Sequence, residues 1–150
     1  MKKLLLMILL VFTCQVGLGQ SAFDRMVNKY TKQTSIVMNI DATGKDLAKD
    51  AKTAAEKAIA SKINKFKMFV IETKRLFPEF KADFVTIEKD GYTRLDATTG
   101  NEVILVKYDA GGATMKEVVF CNVLPKSAYI ARFTGKFAKD DLQTLQNIFK

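Results

Sequence analysis

The chain has 150 residues and a formal charge of +8, from 24 Lys and Arg against 16 Asp and Glu, and it contains no histidine. That absence removes the commonest general base, the usual partner of a nucleophilic Ser or Cys, and the commonest zinc ligand. Two cysteines and a length suited to one domain exclude a disulfide scaffold and favour a single hydrophobic core.

The chain opens with Lys2 and Lys3, an apolar run over 4–12, and the small residues Gly17 and Gly19. This is the anatomy of a cleaved export signal over 1–19, and the apolar run is too short to span a bilayer. Cleavage there leaves 20–150 as a single α+β domain outside the cytoplasm, in the periplasm or secreted. Removing Lys2 and Lys3 lowers the formal charge from +8 to +6. The alternative is lipidation at Cys14, although the bulky Phe12 close before it departs from an acylation signal.

Ser21 and Asp24 mark a helix start, and Phe23, Met26, Val27 and Tyr30 fall at i, i+3, i+4 and i+7, one apolar stripe. Ile36, Met38 and Ile40 alternate as a strand does. Thr43-Gly44-Lys45-Asp46 reads as a second capped start. The run 46–61 then reads as one continuous helix, with a face of Leu47, Ala51, Ala54 and Ala58 that lies close against a sheet.

A strand follows over 66–73, then a short helix over 74–80 interrupted at Pro78. Asp90-Gly91 between 84–88 and 92–97 reads as a hairpin turn. Further turns at Thr99-Gly100-Asn101, Ala110-Gly111-Gly112 and Leu124-Pro125-Lys126 separate strands over 102–108, 115–123 and 129–137. Successive strands joined by short turns predict an antiparallel meander in the C-terminal half, with the helices covering one face of the sheet. Asp140, Asp141, Leu142, Leu145, Ile148 and Phe149 predict a closing helix.

The opening helix Phe23-Asp24-Arg25-Met26-Val27-Asn28-Lys29-Tyr30 after a signal peptide, the hydrophobic strands 103–108, 116–121 and 129–137, and the closing Asp140-Asp141-Leu142 together resemble a known set of chains. The family is the bacterial exported proteins grouped as domain of unknown function 4252. The resemblance implies a small α+β envelope protein; it supplies no activity and no catalytic residues to carry over.

Chemistry-bearing candidates are few. Cys121 lies in the apolar run Val118-Val119-Phe120-Cys121, where burial makes a thiol inert. Asp140-Asp141 is explained by helix capping, and Gly111-Gly112 and Thr43-Gly44-Lys45 lack the context of a phosphate loop. No metal site, cofactor or catalytic residue is expected. The spread of lysines among acids reads as a solvated surface, and export argues against a nucleic-acid partner; membrane contact is expected only through a lipid or the basic surface.

Two function classes remain. The first is a non-enzymatic module that binds an envelope protein or an apolar ligand, with Phe77, Phe80 and Phe84 beside the alanine helix as the expected groove lining. The second is a glycan hydrolase with an acid pair drawn from Asp83, Glu88, Asp90, Asp96, Glu102 and Asp109.

Overall fold

The computed structural model describes residues 21–95 and 102–149. The expectations for the export signal, Cys14, Asp96 and the turn at 99–101 lie outside them. Helix α1 (Ala22–Lys32) is followed by β1 (Ile36–Ala42), α2 (Gly44–Asp50), α3 (Ala54–Lys62) and β2 (Ile63–Ile71). A 3-10 turn (Lys74–Leu76) leads into α4 (Phe77–Glu88), then β3 (Thr93–Leu95), β4 (Val103–Tyr108), β5 (Met115–Val123) and β6 (Ala128–Phe137). A second 3-10 turn (Lys139–Asp141) opens α5 (Leu142–Phe149).

The fold is α+β. Among the described residues six strands form one sheet in the order β1-β2-β6-β5-β4-β3, and every neighbouring pair is antiparallel. Strands β3 to β6 make the expected meander, and β2 docks against β6 to carry β1 to the far edge.

Helices cover both faces of this sheet, which corrects the expectation of one covered face. On one face α1 and α4 pack Phe23, Met26, Tyr30, Phe80, Phe84 and Ile87 onto Phe69, Leu105, Val119, Cys121 and Ile130. On the other, α3 and α5 bring Ile59 and Leu145 onto Phe66, Ile104, Val118, Phe120 and Phe133. Side chains alternate across a strand, so a strand buried on both faces needs an unbroken apolar run, which Val118-Val119-Phe120-Cys121 supplies.

Four further expectations are corrected. The helix over 46–61 is two helices, because Thr53 leaves helical geometry and caps α3. Its alanine face does not meet the sheet: Ala48, Ala54, Ala55 and Ala58 are exposed, and Ile59 and Ala60 point inward instead. Pro78 does not interrupt a helix but stands in the first turn of α4, where its missing N–H costs nothing. Residues 84–88 are the end of that helix, so Asp90-Gly91 terminates α4, with Gly91 at φ +87°, rather than closing a hairpin.

Two glycines let the layers approach. A Cβ on Gly44 would stand 2.2 Å from the Ala60 carbonyl oxygen and 2.3 Å from that of Ile63; one on Gly135 would stand 2.0 Å from the Lys62 carbonyl oxygen. The C-terminal end of α3 is thus clamped between α2 and β6.

Candidate functional site

The break between α2 and α3 opens a groove on the second face of the sheet. Its volume is about 570 Å³, and its floor is Met38, Ile40 and Ala42 from β1 with Phe66 and Met68 from β2. Leu47 and Ala51 wall one side, and Ile148 and Phe149 of α5 wall the other. Alternation explains the floor: Met38, Ile40 and Ala42 share a parity in β1 and so share a face. Pairing then sets Ile40 opposite Met68 and Ala42 opposite Phe66.

The floor is rigid where it meets the core. Phe66 stacks on Phe133 with ring centroids 4.6 Å apart, and Phe149 stands 5.3 Å from Phe120 and 5.5 Å from Tyr129. At the edge it is open, and Met38 keeps half of its surface exposed.

The rim carries charge. Asp46, Asp50, Lys52 and Glu56 lie on it, and Lys49 Nζ stands 3.5 Å from Asp46 Oδ1. Asp46 accepts from the Thr43 N–H at 3.0 Å, and Glu56 accepts from the Lys52 and Thr53 N–H groups at 2.6 and 3.3 Å. The hydrogen bonds from the Thr43 backbone and side chain hold the Asp46 carboxyl below its ordinary range, so it carries its charge at neutral pH.

The expected groove of Phe77, Phe80 and Phe84 beside the alanine helix is not formed. Phe80 and Phe84 are buried, and Phe77 packs half-buried against the same cluster. Phe80 lies 5.3 Å from Tyr30 and 4.8 Å from Phe84, in the core under α1 and α4. The alanine-rich segment lies across the opposite face. The aromatic run is core because α4 begins at Phe77, which turns Phe80, Phe84 and Ile87 into one helical stripe.

The candidate carboxylates have separate partners. Asp83 accepts from Lys29 Nζ at 2.9 Å and from the Tyr30 hydroxyl at 2.7 Å. Glu88 pairs with Arg94, and Asp90 accepts from the Ala22 N–H at 2.9 Å. Glu102 is buried and accepts from the Tyr129 hydroxyl and the Gln146 amide. Asp109 is exposed at the turn before β5. Among the described residues no group of three or more His, Cys, Asp or Glu is placed to hold a metal ion.

A second buried polar set stands on the α1 face. Glu117 accepts from the Tyr92 hydroxyl and from Arg132 Nη2 at 2.8 Å. Burial alone raises a carboxyl, but these two hydrogen bonds and the guanidinium charge bring Glu117 below its ordinary value. Burial, followed by a neighbouring carboxylate, raises the hydroxyls of Tyr30, Tyr92 and Tyr129. Burial also raises the Cys121 thiol well above its usual value, so it stays protonated and inert, as its sequence context implies. Tyr92, Glu117 and Arg132 bind one another, Tyr30 ties α1 to Asp83 of α4, and Tyr129 binds Glu102.

The groove residues were legible only in part. The alternation of Ile36, Met38 and Ile40 is readable, whereas the meeting of this strand with Leu47, Ile148 and Phe149 depends on chain reversals that no local pattern encodes. Among the described residues no helix is long and apolar enough to cross a membrane, which says nothing about strands.

No curated protein and no solved structure matches the chain. A family model described as domain of unknown function (DUF4252) matches residues 16–145, and the chain therefore belongs to that family.

Proposed function

We propose that this domain is a non-enzymatic binding module, working outside the cytoplasm, that takes an apolar ligand or segment into the groove between β1, β2, α2, α3 and α5. One observation carries the reading: a groove of about 570 Å³ with an apolar floor, of a size suited to small-molecule or side-chain recognition. The half-exposed Met38 supports it, because a flexible thioether adapts to varied apolar shapes. The separate engagement of Asp83, Glu88, Asp90 and Glu102 favours binding over two-carboxylate hydrolysis. The export signal read at 1–19 supports the location, and the mass of the protein recovered from its host tests it: cleavage leaves residues 20–150, and acylation at Cys14 leaves a lipid-bearing chain.

The groove is tested with a neutral apolar dye, N-phenyl-1-naphthylamine, whose emission rises on leaving water. Saturable enhancement is expected, weakened about tenfold by Met38→Lys, which puts a charge on the apolar floor. No saturable binding, or binding indifferent to Met38→Lys, refutes the groove as the site.

A further inference from the structure

The groove borders an open sheet edge. Among the described residues strand β1 is terminal in the sheet order, and its seven residues, Ile36–Ala42, include no Pro or Lys, with one register shift between Ile36 and Met38. Val37 and Met38 are 57% and 50% exposed. Among the described residues the opposite edge is β3, Thr93–Leu95. An edge strand turns alternate backbone N–H and C=O groups outward, and an extended main chain matches that row of donors and acceptors.

Charge narrows the choice of partner. The whole chain is at +8, yet the groove rim carries Asp46, Asp50 and Glu56 with Lys52, and among the described residues Lys49 pairs with Asp46 alone. Asp50 is the last residue of α2, where the helix dipole disfavours an acid, so a cation arriving there relieves an unfavourable charge. A fatty acid fits the apolar floor but brings a carboxylate to a carboxylate rim, and it leaves the outward backbone of β1 to water.

Resting on the binding reading above, we propose that the natural occupant is an extended peptide segment, added to β1 as a seventh strand, whose groove-side positions are apolar at the centre and basic at the flanks. Its backbone pairs with the outer edge of β1. Its groove-side apolar side chains lie beside Met38 and Ile40, and a flanking Lys or Arg reaches the carboxylates of α2 and α3. The β1 edge supplies affinity without reading sequence, and the floor and rim supply selectivity.

The test uses three labelled heptapeptides with the protein: Lys-Ser-Val-Ser-Val-Ser-Lys, whose Lys and Val share one face, the same peptide with the amides that pair with β1 N-methylated, and the same peptide with Glu for Lys. Fluorescence anisotropy should show saturable binding of the basic peptide. N-methylation, which removes main-chain donors but no side chain, should weaken it at least about tenfold, as should replacement of Lys by Glu. Asp50→Lys, an exposed change, should weaken the basic peptide and tighten the acidic one. Equal affinity for the parent and N-methylated peptides overturns strand addition. So does a stable dimer that the peptide does not compete with, since a second copy then holds the edge. Dye binding without peptide binding overturns this inference alone; loss of both overturns the groove reading as well.

Discussion

Thr53 and Glu56 hold each other in a reciprocal pair: the Glu56 N–H donates to Thr53 Oγ1 at 3.1 Å, and the Thr53 N–H donates to Glu56 Oε2 at 3.3 Å. This capping box ends the run of helix at Asp50, starts another at Ala54, and so creates the wall of the groove. Thr53→Ala should cost about 1 kcal/mol, measured as a lowered urea midpoint. Dye affinity should fall with it, since Ala51 and Lys52 lose their fixed position. An unchanged midpoint would mean that the break is held by something other than the cap.

Gly44 and Gly135 should resist substitution because the space beside them is occupied. Gly44→Ala drives a methyl into the carbonyl oxygens of Ala60 and Ile63, and Gly135→Ala drives one into that of Lys62. Each is expected to destabilise by about 1–3 kcal/mol, the usual cost of overpacking. Gly112, at φ +72° with nothing near its Cβ direction, provides the comparison: strain there is local to the turn. Thermal unfolding of the three variants checks the order.

The periodic elements were readable because their signals are local. The stripe of α1, the strands set off by turn clusters at 110–112 and 124–126, and the acid-started α5 each follow from residues adjacent in the chain. What escaped was decided by competition between local signals. Alanines at 48–58 favour helix throughout, but Thr53 with Glu56 makes a stronger local arrangement and breaks it. Asp90-Gly91 serves a helix end as well as a hairpin, and Pro78 serves a helix start as well as a stop. Apolar Phe84 and Val85 do not say which. Covering of both sheet faces was encoded in Val118-Val119-Phe120-Cys121. The groove was not, because it arises where β1, the α2–α3 break and α5 converge.

Stability should fall on both sides of neutrality for identifiable reasons. Glu117 and Asp24 have carboxyls held low in the folded protein, so their contribution is present above their unfolded values and is lost as pH falls through the folded ones. Urea midpoints should therefore drop below about pH 4, and Glu117→Gln should flatten that limb. Tyr30, Tyr92 and Tyr129 are raised, so their contribution is complete below the unfolded value near pH 10 and declines above it. Midpoints independent of pH on the acid side would contradict the Glu117 assignment.

The two aromatic sets should separate stability from binding. Phe80 is fully buried against Tyr30, Phe69 and Phe84, and Phe80→Ala is expected to cost about 3–5 kcal/mol. Met38→Lys changes a half-exposed side chain and should move stability by no more than about 0.5 kcal/mol while reducing dye affinity. Unfolding curves and dye titrations on the same samples distinguish the two.

The central claim, that the groove is the binding site, is tested most directly by methyl resonances of ¹³C-methionine protein titrated with N-phenyl-1-naphthylamine. Met38 and Met68 line the groove, whereas Met26 is buried under α1 and Met115 lies buried in the second core, off the groove lining. The account predicts saturable shifts at Met38 and Met68 with Met26 and Met115 unmoved. Shifts led by Met26 or Met115, or a spectrum unchanged at saturating dye, would contradict it.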